Sequence, residues 1–154
     1  LTVRLTIVGQ RDVPLLGRLM ERAFDPRFGE AWSTAQLGGA LGVADTWAQV
    51  GTDAAEPFGF SLTRRILDEA ELMLVAVLPG ERRRGLGRCL VEGAMETAGR
   101  RGARRMFLEV RDGNLAALHL YESLGFTAAG RRQNYYTGPG GERFDAITMR
   151  RDLA

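Results

Sequence analysis

Lysine is absent from this chain of 154 residues, so all 21 basic side chains are arginine. Against 19 acidic residues they leave a net charge of only +2, too small an excess for a general nucleic-acid binder. The clusters at Arg82 to Arg84, Arg100 to Arg105 and Arg131 to Arg132 can still meet phosphates locally, although a GC-rich genome that favours arginine codons is the simpler explanation of the bias. Cysteine occurs once, as Cys89. One thiol forms no internal disulfide and no paired metal site, which suits the reducing cytoplasm. Long apolar runs are also missing. The longest clean one, Leu72 to Leu78, has seven residues, against roughly 20 for a bilayer span, so no membrane role is expected. The start lacks the cationic, apolar and small-residue order of a secretory signal, and Leu1 in place of Met is read as a shortened start. What remains is ordinary globular composition, 45% hydrophobic and 26% charged. No repeat, low-complexity tract or linker interrupts it, so one domain over residues 1–154 is expected, single domains most often having about 100 to 150 residues.

Val3, Leu5 and Ile7 alternate as an opening strand over residues 2–8. Leu15, Leu16, Leu19, Met20 and Ala23 recur at helical spacing behind Pro14, which predicts a helix over residues 12–24. Residues 24–32 break the pattern, and Ser33-Thr-Ala-Gln36 forms a capping box that opens a short helix to Leu41. Residues 46–50 and 58–66 read as strands joined by a turn at Gly51 to Pro57. Leu72 to Val77 is apolar on both faces, as a central strand is, and Pro79 stops its pairing. A helix from Gly85 to Arg101 carries an apolar stripe of Leu86, Cys89, Leu90, Gly93, Ala94 and Ala98. Residues 105–110 form another strand, residues 114–124 a helix closed by Gly125, and residues 126–136 and 144–150 two last strands. The expected fold is an α/β mixed sheet of about seven strands with helices on both faces, including a right-handed parallel crossover.

Immediately after the central strand, Arg82-Arg-Arg-Gly85-Leu-Gly87-Arg88 opens a helix. Two glycines let the backbone approach a ligand, and the first N–H groups of a helix lack internal partners and carry the positive end of its dipole. Such a terminus suits a phosphate, although a glycine-rich helix start also occurs without a ligand. A P-loop requires Lys-Ser or Lys-Thr after its last glycine, and Gly87 precedes Arg88-Cys89. A dinucleotide fingerprint requires a third glycine where Leu90 stands. Neither applies.

Arg82 to Gly87 instead spells R-x-x-G-x-G, which resembles the acetyl-coenzyme A loop of the GNAT (Gcn5-related) N-acetyltransferases. Leu108-Glu-Val-Arg111, Asn114, Leu120-Tyr-Glu-Ser-Leu-Gly-Phe126, Arg131-Arg-Gln-Asn-Tyr-Tyr136 and Asp145-Ala-Ile-Thr-Met149 extend the resemblance, and look like the RimI branch, which acetylates the N-terminal alanine of small-subunit ribosomal protein eighteen. The resemblance implies a GNAT fold, acetyl-CoA as cosubstrate without a metal, and a peptide or ribosomal-protein N-terminus as partner, with ribosome association open. It implies that Arg82, Arg83, Arg84, Gly85, Leu86, Gly87, Arg88 and Asn114 hold the cofactor. Main-chain N–H groups of Val75, Ala76 and Val77 would meet the carbonyl oxygen where their strand splays from its neighbour. Exposed solubilising charge is an equal reading of Arg83 and Arg84.

Acetyl transfer needs a neutral amine, and a protein α-amine with pKa of about 7.7–8.0 is mostly protonated at neutral pH, so a base is required. By strand alternation Glu109 lies opposite Leu108 and Val110; it is either an ordinary solvated carboxylate or, by the resemblance, the general base acting through water. Tyr121 lies two helical turns beyond Asn114. It is either a core aromatic or, by the resemblance, the acid that protonates the leaving thiolate. Trp32, Tyr135 and Tyr136 either line a peptide groove or serve as structural aromatics. The stretch Asp25 to Ala31 departs from the family's shorter form and bears on substrate selectivity. His119 is read as surface and Cys89 as packing. A small amine or aminoglycoside acceptor, and a non-catalytic coenzyme A-binding module, are the alternatives.

Overall fold

The computed structural model describes residues 2–82 and 84–153. Its strands are β1 (Val3–Val8), β2 (Thr46–Asp53), β3 (Glu56–Ile66), β4 (Glu69–Val77), β5 (Arg105–Arg111), β6 (Thr127–Thr137) and β7 (Arg143–Asp152), and its helices are α1 (Val13–Ala23), α2 (Thr34–Leu41), α3 (Leu86–Arg100) and α4 (Leu115–Ser123). One seven-stranded sheet in the order β1-β2-β3-β4-β5-β7-β6 carries them all. Among the described residues only β4 and β5 pair in parallel; the other neighbours are antiparallel.

The two faces bury different helices. Leu16, Leu19 and Met20 of α1 and Leu37 of α2 pack with Phe60, Leu62, Leu74 and Ala76 on one side. On the other, Val91, Ala94 and Ala98 of α3 and Tyr121 of α4 pack with Leu72, Met106, Leu108 and Val110. Each amphipathic helix thus hides its apolar stripe against the sheet, the largest favourable term available to a chain of this size. Among the described residues no helix is long and apolar enough to cross a membrane.

Several sequence expectations shift. The β2–β3 turn is not the seven-residue stretch expected: both strands run on to Asp53 and Glu56, and only Ala54 and Ala55 remain between them, with φ of 49° and 71°. Two residues with positive φ make the tight hairpin turn usually spelled by Asn-Gly, and alanine gives no such signal. Of the three residues that alternation puts on one side of β1, Val3 and Leu5 pack against the cluster of Phe58, Leu86 and Leu90, while Ile7 is half exposed. Asn114 stands outside α4 as its N-cap, accepting a hydrogen bond from Ala117 N at 3.2 Å.

The deviation that matters most for the site lies in β4. Leu62 opposes Leu74 but Thr63 opposes Leu72, so Met73 is an extra residue in β4. A bulge of this kind bends its strand and increases the local twist. It also reverses the alternation: Ala70 and Leu72 face α3, whereas Leu74 and Ala76 face α1. Parallel pairing with β5 stops at the same place, Leu72 opposite Leu108. Beyond it β4 continues alongside β3 to Val77, and β5 alongside β7 to Arg111. The two parallel strands therefore open into a V at their carboxyl ends.

Candidate active site

The opening of the V coincides with the beginning of two helices, since β4 leads into α3 and β5 into α4. Carboxyl ends of neighbouring parallel strands are where α/β sheets bind ligands. Gly85 precedes α3 with φ of 77°, a left-handed conformation that an L-side chain strains to adopt, and no side chain caps the helix. The first internal bond runs from Cys89 N to Gly85 O at 3.2 Å. Among the described residues the N–H groups of Leu86, Gly87 and Arg88 meet no acceptor, as the first turn of a helix leaves them for a ligand.

The main chain of β4 presents a second set of donors. Leu78 N donates to Phe58 O at 2.9 Å, which fixes the alternation of bonded pairs along the β3–β4 ladder. Ala76, opposite Phe60, spends its polar groups on β3. Val75 and Val77 turn theirs to the open side, where Val77 O accepts from Arg82 Nε at 3.2 Å. Of the three residues expected to offer amides to a carbonyl oxygen, Ala76 is therefore the one directed away.

Two cavities meet in the V. One of about 600 Å³ is lined by Gly85, Gly87, Arg88, Val77 and Leu120. The other, of about 340 Å³, is lined by Trp32, Glu71, Met73, Glu109, Tyr135 and Tyr136. Phe24, Glu30, Val75, Arg111, Asn114 and Tyr121 belong to the walls of both and form a throat between them.

Glu109 sits where its strand alternation predicts, with a side chain 13% exposed. Thr148, its neighbour across β7, donates from Oγ1 to Oε2 at 2.5 Å, and Arg132 Nε donates to Oε1 at 3.0 Å. These two contacts fix the carboxylate in the smaller cavity. Tyr121 is buried, with its ring edge-on to Phe126 at 5.8 Å. Burial, reinforced by the negative charge of Glu30, pushes its phenol well above the ordinary range. Tyr136 is shifted the same way, chiefly by burial, and its ring meets that of Tyr135 at 4.9 Å. Trp32 both lines the smaller cavity and packs against the α1 side of the core.

The arginines divide. Arg82 lines the larger cavity, but its guanidinium donates to the carbonyls of Val77 and Ala23 and so ties β4 to the end of α1. Arg84 is paired with Asp53 at 2.9 Å and with Glu81, away from both cavities. Arg88 lines the larger cavity, and Arg83 lies outside the described residues. The Leu86 side chain is core, although its amide opens α3. His119 is exposed and Cys89 half-buried. Sequence reasoning missed the throat residues Phe24, Glu30 and Arg111. Arg111 was legible as the next residue on the Glu109 face of β5, whereas nothing in the spacing pointed to Glu30.

The model of the acetyltransferase (GNAT) family matches residues 15–126. The chain belongs to the GNAT acetyltransferase family. Its mixed sheet with helices on both faces is the GNAT fold. It is 49% identical over 90 residues to the [ribosomal protein bS18]-alanine N-acetyltransferase of Escherichia coli K12, a match covering 58% of this chain and 60% of that relative's length. The corresponding Haemophilus influenzae protein is 37% identical over 91 residues, covering 59% of this chain and 62% of the relative. The chain's sequence match thus spans about three fifths of the curated relatives. In solved structures, the E. coli ribosomal-protein-S18-alanine N-acetyltransferase superimposes over 99% of this GNAT chain and 95% of its own, with TM-score 0.87 and 34% identity. Arabidopsis thaliana NAA60 in complex with acetyl-CoA has TM-score 0.84 at 16% identity over 98% of each chain, a likeness of fold alone.

Proposed function

We propose that this protein transfers the acetyl group of acetyl-CoA to the N-terminal α-amine of a protein, the N-terminal alanine of ribosomal protein bS18 being the favoured acceptor. The observation that carries the reading is the throat, which joins a cavity beside uncapped helical amides to a cavity containing a fixed carboxylate. The family and the curated relatives support the same assignment.

The residues fit acetyl-CoA. The helix-opening amides of Leu86, Gly87 and Arg88 suit a diphosphate, with the Arg88 and Asn114 side chains in the same cavity wall. Acetyl-CoA supplies the electrophilic thioester. Glu109, held by Thr148 and Arg132, takes a proton from the incoming ammonium through water. The outward-facing N–H groups of Val75 and Val77 are donors fixed in advance for the oxygen that gains charge. Tyr121 gives its proton to the departing sulfur. Burial keeps the phenol protonated before transfer, and the second proton that nitrogen sheds on becoming an amide restores the phenol after its own proton has gone to sulfur. Tyr135, Tyr136 and Trp32 flank the peptide.

The test is incubation with acetyl-CoA and a peptide beginning Ala-Arg, followed by mass spectrometry to locate the added acetyl group. Acetylation of the α-amine is the expected result. Label confined to lysine side chains, or turnover of polyamines or aminoglycosides with none on peptides, would overturn it.

A further inference from the structure

The stretch from Asp25 to Ala31, between α1 and α2, delivers Glu30 to the throat. The Glu30 side chain is 12% exposed and forms an ion pair with Arg111, 15% exposed, at the end of β5. The segment is held from several directions. Asp25 Oδ1 accepts from Arg27 N at 2.9 Å, and the Arg111 guanidinium lies 3.6 Å from the centre of the Phe28 ring. Phe28 in turn meets Phe144 of β7 edge-on at 5.2 Å. Gly29, with φ of 67°, approaches the chain leaving β6 so closely that a Cβ there would stand 2.0 Å from Thr137 O. Glu30 is therefore a wall that cannot retreat toward the β6–β7 connection.

An acceptor amine that enters through the cavity containing Glu109 meets the throat walled by Phe24, Glu30, Val75 and Tyr121. A first side chain directed at that wall meets the Glu30 carboxylate, which its ion pair with Arg111 holds in place. Displacing that carboxylate would separate two largely buried charges, and an unpaired buried charge is strongly unfavourable. We infer that Glu30, clamped by Arg111, is a specificity-determining residue that restricts the acceptor to a small N-terminal side chain. The inference rests on the acetyl-transfer reading above.

The experiment compares kcat/KM for peptides that differ only in the first residue, alanine against leucine, in the wild type, Glu30→Gln and Glu30→Ala. The wild type should prefer alanine by about tenfold or more, the scale on which a pocket discriminates between apolar side chains. Glu30→Ala should reduce that ratio about tenfold through a lower KM for the leucine peptide. Glu30→Gln, of equal size and still able to accept from Arg111, should keep it within about threefold. If Glu30→Ala does not fold, Glu30→Ala with Arg111→Met takes its place, since it leaves no buried charge alone. An unchanged ratio in the opened variant, or an equal loss on both peptides, overturns the inference while leaving the acetyl-transfer reading intact. A wild type that acetylates neither peptide overturns both.

Discussion

Replacing Glu109 by Gln removes a proton acceptor while keeping almost every contact around it. The amide oxygen can still accept from Arg132, and the Thr148 hydroxyl, which now donates to Oε2 at 2.5 Å, can rotate to accept from the new NH2. The Arg132 side chain is 61% exposed, so that ion pair contributes at most about 1 kcal/mol after solvent screening. The melting temperature should fall by only about 2–4 °C. Turnover should respond far more. Loss of a positioned base reduces rate by roughly 100- to 10,000-fold, and the variant must take its amine already neutral from solution. With an α-amine pKa of about 7.7–8.0, about one acceptor in six to eleven is neutral at pH 7 and about nine in ten at pH 9. The variant's kcat/KM should therefore climb roughly six- to tenfold over that interval and narrow its deficit against the wild type. Steady-state assays of an alanine peptide from pH 6.5 to 9.5, with the KM for acetyl-CoA measured in parallel, give the answer. Activity within about threefold of wild type at pH 7, or a pH-independent deficit that tracks weaker acetyl-CoA binding, would refute the role of Glu109 as base.

Tyr121→Phe should lower kcat by roughly 100-fold or more with little change in either KM. The same phenol makes a stability prediction: because burial raises its folded pKa above the unfolded value, its contribution is complete below about pH 10 and is lost as pH rises through the folded pKa. Thermal melts at pH 8 and pH 11 should show the wild type losing more stability than the Phe variant. Gly85→Ala places an L-residue at φ of 77° and should cost about 1–2 kcal/mol, with a raised KM for acetyl-CoA; an unaltered melt and KM would mean that this turn relaxes freely. Asn114→Ala removes the α4 cap and should cost about 1 kcal/mol, and isothermal titration should find weaker acetyl-CoA binding.

Much of this protein was legible from residue order because local rules were obeyed locally. The Ser33–Gln36 capping box forms as written, with Gln36 N donating to Ser33 Oγ at 3.1 Å and Ser33 N to the Gln36 side chain at 2.8 Å. The two glycines after the central strand begin a helix, and alternation along β5 places Glu109 opposite Leu108 and Val110. The Ala54-Ala55 turn was illegible because two alanines adopt a conformation that their side chains disfavour, under the constraint of the paired strands on either side. The Met73 bulge was illegible for a related reason: an uninterrupted apolar run reads the same whichever face each residue occupies.

Residue order by itself determined the helices, the strands, the uncapped amides after β4 and the side of β5 that carries the carboxylate, since each depends on neighbours a few positions away. The tertiary structure alone decided where β4 leaves β5, which amides of β4 face the gap, and that Glu30 closes against Arg111 some 81 positions along the chain. Those features arise from strand register and from the packing of distant segments, and no short-range pattern encodes either.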